Sequence, residues 1–122
     1  MTSPQVIGQQ WESKVVEYLQ SRGLTDAYRL RGLEGPKDHG DIGGFHRWAL
    51  DCKDQTRMSL GAWVAQAKDE AHNSHKPLSA VIVKRRDQRP EDALVVMDLH
   101  TWTLLERYIQ DLSRDKTNEA YL

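Results

Sequence analysis

The chain has few of the features that mark a secreted or membrane protein. It contains a single cysteine, Cys52, so an internal disulfide is excluded. It contains no run of 18 apolar residues that could span a bilayer, and its first residues show no apolar signal segment. We therefore expect an intracellular, cytoplasmic protein with no membrane partner.

The sequence also lacks internal repeats, low-complexity tracts and linkers rich in Pro, Gly or Ser. Its 122 residues suit one domain with a modest core, and a hydrophobic fraction of 39% is enough for a folded chain. We predict a single domain over residues 1–122, with a loose tail over residues 113–122.

A strong net charge is absent as well. The formal net charge is -1, which excludes a general electrostatic attraction to nucleic acid. The charge is nonetheless uneven, because residues 46–89 carry nine Lys and Arg against five Asp and Glu. A local basic face that contacts nucleic acid therefore remains open.

What the sequence does contain is an alternation of helical and strand patterns. Ser3 and Pro4 are typical of a helix start, and apolar residues then recur at helical spacing until Gly23. Later segments alternate with turn residues in the order α-β-β-β-α-β-β-α. The predicted helices span residues 4–22, 60–73 and 101–112, and the predicted strands span residues 27–31, 41–45, 48–53, 79–84 and 93–98, with a loop over residues 32–40.

The most informative residues lie on a predicted hairpin. Asp41 begins one strand, and Asp51 and Lys53 end its partner. Opposed positions in an antiparallel pair lie only about 5 Å apart, so Asp41 and Asp51 can share one site. Because side chains alternate across a strand, Leu50 and Cys52 are expected to pack inward, and Asp51 and Lys53 to share the outward face.

Two carboxylates this close would repel each other, and a divalent cation would relieve the repulsion. Mg²⁺ takes hard oxygen ligands, is usually held by one or two carboxylates, and accepts phosphate oxygens as well. Such a site can polarise a phosphodiester and activate water, and Lys53 can stabilise the charge that develops on the phosphate. Asp41, Asp51 and Lys53 therefore supply the parts of a phosphodiesterase that uses Mg²⁺, with Mn²⁺ as a substitute.

The chain resembles the PD-(D/E)XK nuclease superfamily, and within it the small Holliday junction resolvases of archaeal and phage type. The resemblance covers roughly residues 5–100. It implies a restriction-endonuclease-like core, in which a central mixed β-sheet is flanked by helices. The motifs that carry it are Gly8-x-x-Trp11-Glu12-x-x-Val15, Gly40-Asp41-Ile42, Asp51-Cys52-Lys53 and the helix that follows.

This resemblance implies roles for four residues. Glu12, Asp41 and Asp51 would be the acids of the metal site, and Lys53 the catalytic lysine. It also implies an endonuclease that cleaves branched DNA as a homodimer, in a prokaryotic or phage-infected host cell. From the residues alone, Glu12 stays open, because it lies at the margin of the buried stripe of its helix and could be a solvated flank residue.

Candidate DNA contacts follow the hairpin in the chain. Gln55 continues the face of Lys53, and a basic cluster lies on a strand end and turn, where Arg suits phosphate. The alternative for this cluster is an ordinary solvated turn. The candidate DNA-binding residues are Gln55, Arg57, Lys68, Lys84, Arg85 and Arg86.

Two other functions are compatible with the sequence. A DNA-processing exonuclease or a restriction-like nuclease of the same superfamily would share the fold and the metal site. RecB-like exonucleases usually show Gln-x-x-x-Tyr on the following helix, whereas this chain has Gln66 and Glu70. A catalytically silent DNA-binding or interaction module would show the loss of an acid or of the lysine, and here the whole set is present.

Overall fold

A computed structural model gives the structure of residues 3–31 and 38–121, with side chains described as far as residue 114. These residues form an α/β arrangement in which helices flank a five-stranded mixed sheet. The helices are α1 (Pro4–Ser21), α2 (Leu60–Asn73) and α3 (Leu99–Tyr121). The strands are β1 (Tyr28–Arg29), β2 (Ile42–Gly43), β3 (Trp48–Lys53), β4 (Leu78–Val83) and β5 (Leu94–Val96).

The strands lie side by side in chain order. β3 and β4 are parallel, with α2 as the crossover between them, and the other neighbouring pairs are antiparallel. The carboxyl ends of β3 and β4 therefore meet at one end of the sheet, and the start of β2 lies there too. This end, which we call the functional end, collects Asp41, Lys53 and the turn after β4.

One face of the sheet packs on α1. Trp11 and Val15 are buried against alternate residues of β3 and β4, among them Leu50 and Ile82. The indole Nε1–H of Trp11 donates a hydrogen bond to the Ile82 carbonyl at 3.2 Å. This bond satisfies the one polar atom of the side chain inside an apolar core.

The other face packs on α2. Trp63 and Ala67 are buried against Val81 and Val83 of β4. The predicted alternation along β3 is therefore confirmed, but the expectation that its second face points outward is wrong. Asp51 lies on that face and is only 2% exposed, because α2 covers it.

The predicted order of elements and the mixed α/β class are confirmed, and the boundaries differ in places. The strands predicted at residues 27–31 and 41–45 have two residues each. Gly44 takes φ +98°, and a Cβ there would overlap the Asp26 carbonyl oxygen, so the chain leaves the sheet after Gly43. Six residues of the predicted loop, 32–37, lie outside the described residues.

The carboxyl-terminal part differs more. The strand predicted at residues 93–98 is Leu94–Val96, preceded by a short 3-10 helix, Pro90–Asp92. α3 continues to Tyr121, past the predicted end at residue 112, and its backbone occupies the region predicted as a loose tail. No Gly or Pro follows residue 112, so nothing in the sequence stops the helix. Within the described residues, no helix combines the length and the apolar character needed to cross a membrane.

Because Trp11 is 2% exposed, we expect Trp11→Ala to lower the free energy of unfolding by about 3–5 kcal/mol. Val6 is on the same helix but 41% exposed, so Val6→Ala should change it by no more than about 0.5 kcal/mol. Urea unfolding followed by circular dichroism measures both. Equal midpoints for the two variants would contradict the assignment of Trp11 to the core.

Candidate active site

Asp41 is held firmly against β3. Its N–H donates to the Leu50 carbonyl at 2.8 Å, and its carbonyl accepts from the Leu30 N–H at 3.0 Å. Its carboxylate oxygen Oδ2 accepts from the Cys52 N–H at 2.8 Å. Gly40 makes this approach possible, since it takes φ +101° and a Cβ there would lie 3.0 Å from the Leu50 oxygen. The sequence thus fixes one carboxylate at the functional end.

Asp51 points from β3 toward α2, where it meets Glu70. The two residues are 2% and 1% exposed, and their carboxyl groups are in contact. Two carboxyl groups this close and this deeply buried favour a proton on one of them. The Oδ2 atom of Asp51 and the Oε2 atom of Glu70 have no hydrogen-bond partner. The sequence predicted one carboxyl group here, that of Asp51, whereas the structure has a buried pair, Asp51 and Glu70.

Lys53 is tied to the same pair through α2. Its Nζ donates to Oε1 of Gln66 at 3.3 Å, and Nε2 of Gln66 donates to Oε1 of Glu70 at 3.0 Å. Asp51 and Lys53 share a face of β3, while Gln66 and Glu70 lie one turn apart on α2. The four side chains thus form a series of contacts between strand and helix, from Lys53 through Gln66 and Glu70 to Asp51, which fixes the amine relative to the acid.

Glu12 reaches Asp41 from α1. Its Oε1 lies 3.3 Å from Nε of Arg29, and the side chains of the pair are only 17% and 18% exposed. Burial raises the pKa of Glu12, the charge of Asp41 raises it further, and Arg29 acts in the opposite direction. Glu12 is therefore part of the acidic group, but its carboxylate already has a cationic partner.

Asp38 joins the acids from the loop before β2. Its Oδ1 accepts from the Gly40 N–H at 3.0 Å, and Asn73 of α2 donates to its carbonyl at 3.0 Å. Its carboxyl group also contacts Glu70. Asp38 and Asp41 open onto a cleft of about 720 Å³ between α1 and the sheet, whose other polar lining includes Glu12, Arg29, Arg31 and His39.

Burial is the main influence on the acids. It raises the pKa of Glu70, which the hydrogen bonds to Asp51 and Asp38 raise further, and it raises the pKa values of Asp51 and Asp41. Burial also acts upward on Asp38, but hydrogen bonds from Glu70 and the Gly40 N–H outweigh it, and the pKa of Asp38 is lowered. In the metal-free protein, Glu70 is therefore the acid that keeps its proton at neutral pH.

The donor set suits a hard divalent cation. Among residues 3–31 and 38–121, no three His, Cys, Asp or Glu side chains are arranged as a preformed metal site. Mg²⁺ needs only one or two carboxylates, with water in the other positions. The unpartnered oxygens of Asp51 and Glu70 are available for this purpose, whereas Oδ2 of Asp41 is engaged by Cys52.

Part of the predicted DNA-binding set lies at the functional end. Gln55, Lys84 and Arg86 line one shallow pocket beyond the carboxyl ends of β3 and β4. Lys84 lies 3.6 Å from a carboxylate oxygen of Asp54. Arg85 follows in the same turn and is exposed. These side chains therefore lie on the same end of the sheet as Asp51 and Lys53.

The remaining two candidates are placed differently. Arg57 is exposed in the segment between β3 and α2. Lys68 is on α2 and donates to Oδ2 of Asp98 at 2.7 Å. This hydrogen bond is the main cause of the lowered pKa of Asp98. Lys68 thus has a structural partner of its own next to the start of α3.

Glu70, Arg29 and Asp38 were not assigned to the site by the sequence analysis. Glu70 had a readable signal, because it lies three residues after Ala67, within the buried stripe of α2. A charged residue inside an apolar helical stripe is rarely buried without a partner. Arg29 gave no such signal, since its contact with Glu12 depends on how α1 packs on β1.

No family model, no curated protein and no solved structure matches this chain.

We expect the metal-free protein to lose stability as the pH rises. In the unfolded chain Glu70 ionises near its usual pKa of 4.5, whereas in the folded protein it stays protonated because its pKa is raised. The contribution of the Glu70 carboxyl group to the free energy of unfolding is therefore fully present below pH 4.5. Above this pH it declines, by at most about 1.4 kcal/mol per pH unit. Glu70→Gln should remove this decline, so that the variant exceeds wild type in stability at pH 8.

Urea unfolding in chelator at pH 5 and pH 8 measures the difference. Glu17→Gln, an exposed position on α1, is the matched control and should follow wild type. The same pH dependence in wild type and Glu70→Gln would contradict a protonated Glu70 in the folded protein.

Proposed function

We propose that this protein is a Mg²⁺-dependent endonuclease that cleaves phosphodiester bonds in branched DNA, as a Holliday junction resolvase does. The observation that carries the proposal is the placement of Asp41, Asp51 and Lys53 together at the functional end, where Asp41 lines an open cleft. A restriction-endonuclease-like core is part of the proposal, and the mixed sheet with its acid-x-lysine strand supports it. The enzyme would act in the cytoplasm of a prokaryotic or phage-infected host cell.

The site residues divide the chemistry between them. The acids would hold a divalent cation, which would supply Lewis-acid polarisation of the phosphodiester and a more acidic water. Asp51 and Asp41 would bind this cation and orient it. The carboxylate of Asp41 is itself held by the Cys52 N–H. Lys53, held through Gln66, places its ammonium where negative charge develops on the phosphate. The Cys52 thiol takes no part, because burial raises its pKa and keeps it neutral.

DNA would be held by the basic side chains near the functional end. Arg29 and Arg31 line the cleft next to Asp41. Lys84, Arg85 and Arg86 follow the end of β4, and Lys84 and Arg86 line a second pocket at this end of the sheet. Guanidinium groups bind phosphate oxygens with two parallel hydrogen bonds, so these positions suit a backbone that crosses the site. Gln55 and Arg57 complete the proposed contact surface.

The proposed enzyme is a homodimer, because symmetric cleavage of two strands needs two sites. Support comes from α3, where four apolar side chains are exposed along one side of the helix and could pack on a second copy. These are Leu99, Trp102, Ile109 and Leu112, which are 75%, 51%, 48% and 61% exposed. The edge strand β5 adds exposed Leu94 and Val95. Apolar side chains grouped in this way are typical of protein interfaces.

The cleavage experiment uses labelled four-way junction, flap, blunt duplex and single strand, each with Mg²⁺ and with chelator. We expect wild type to cut the junction only with Mg²⁺. Asp51→Asn and Lys53→Ala should each lower the rate by at least about 10²-fold, because each removes a group that acts at the reacting phosphate. Lys14→Ala, on the exposed side of α1, should cut like wild type.

Circular dichroism shows whether each variant keeps its fold. Digestion from chain ends would favour an exonuclease, and junction binding with no cleavage would favour a silent DNA-binding module. Either result, or normal cleavage by the folded Asp51→Asn variant, would contradict the proposal.

We further expect Leu112→Glu to turn a wild-type dimer into a monomer, because it introduces a charge into the apolar side of α3. Leu24→Glu is the matched control, since Leu24 is also exposed, at 47%, but lies after α1. Sedimentation velocity gives the oligomeric state of all three proteins. A monomeric wild type, or a dimer that survives Leu112→Glu, would exclude this surface as the interface.

A further inference from the structure

Glu70 is a buried acid to which the proposed mechanism gives no role. It is 1% exposed, and its Oε2 has no hydrogen-bond partner. Asp51, opposite it, has the same property at Oδ2. Leaving a buried polar group unpartnered is unfavourable, so two such groups in contact call for an explanation.

The two unpartnered oxygens belong to side chains on facing elements. Asp51 comes from β3 and Glu70 from α2, and their carboxyl groups are in contact. Gln66 holds the other oxygen of Glu70 through a 3.0 Å hydrogen bond, which sets the orientation of the carboxyl group. Asp38 lies beside Glu70 and also lines the open cleft, so the pair adjoins the cleft on that side.

Glu12 is less suited to bind a cation. Its Oε1 lies 3.3 Å from the Arg29 guanidinium, so a divalent ion bound there would meet a positive charge. Glu70 has no cationic partner in direct contact among the described residues, and its polar neighbour Gln66 is neutral. Of the two glutamates near Asp41 and Asp51, Glu70 therefore offers the better ligand.

We propose that Asp51 and Glu70 together form the divalent cation site, with Glu70 taking the ligand role that the resemblance gives to Glu12. Gln66 acts as a positioning residue, because it orients Glu70 on one side and Lys53 on the other. The inference rests on the proposed function for its metal, but it concerns binding and can be tested without DNA.

Binding of Mn²⁺ to the full chain at pH 8, followed by the paramagnetic resonance signal of the free ion, gives the direct test. We expect Glu70→Gln to weaken Mn²⁺ binding by at least about tenfold, as loss of a ligand should. Glu12→Gln is the matched control, with the same chemical change on the other glutamate, and it should bind as wild type does. Gln66→Ala should weaken binding less than Glu70→Gln.

A folded Glu70→Gln variant that binds Mn²⁺ like wild type would overturn the inference, and so would a loss confined to Glu12→Gln. Glu70→Asp provides a second test. It keeps the charge but shortens the side chain by one methylene, and it should also weaken Mn²⁺ binding.

The two measurements distinguish failure of the inference from failure of the proposed function. If Glu70→Gln binds Mn²⁺ normally and wild type cleaves the junction, only the inference is rejected. If Glu70→Gln binds Mn²⁺ weakly and wild type cleaves none of the DNA substrates, only the proposed function is rejected.

Discussion

The contact between the carboxyl groups of Asp51 and Glu70, buried under α2, is the constraint on which the site depends. Two carboxylates cannot both be ionised there without a counter-charge, because both are almost completely buried. A proton on Glu70 resolves the conflict in the metal-free protein, and a divalent cation would resolve it in the loaded one. Under the proposed function, the burial of these two acids would favour binding of a divalent cation.

The fold maintains this contact through elements that also form the core. α2 links the parallel strands β3 and β4, and Trp63 and Ala67 anchor it on β4. The same helix carries Gln66 and Glu70 to β3, so the packing that stabilises the sheet also sets the positions of the acid and the amine. Asp41 is fixed independently, through main-chain hydrogen bonds to β3. The site is therefore built on rigid elements and not on loops alone.

Strand alternation and hairpin pairing were enough to predict that Asp41, Asp51 and Lys53 lie together, because those rules are local. They could not show that α2 covers Asp51, since helix docking depends on contacts between residues far apart in the chain. The same limit applies to the pairing of Glu12 with Arg29, which depends on how α1 packs on β1. The position of Glu70 within the apolar stripe of α2 indicated a buried acid that needs a partner. That the partner is Asp51 could only be seen from how α2 packs on β3.

The most direct test of the proposed cation site is anomalous diffraction from crystals of the protein soaked in Mn²⁺. We predict one strong peak between β3 and α2, with the carboxyl groups of Asp51 and Glu70 as its protein ligands. Lys53 and Gln66 should remain hydrogen-bonded beside it. A peak bound only by Glu12 and Asp41 would contradict the proposed cation site. So would the absence of a peak at the functional end at Mn²⁺ concentrations that support cleavage.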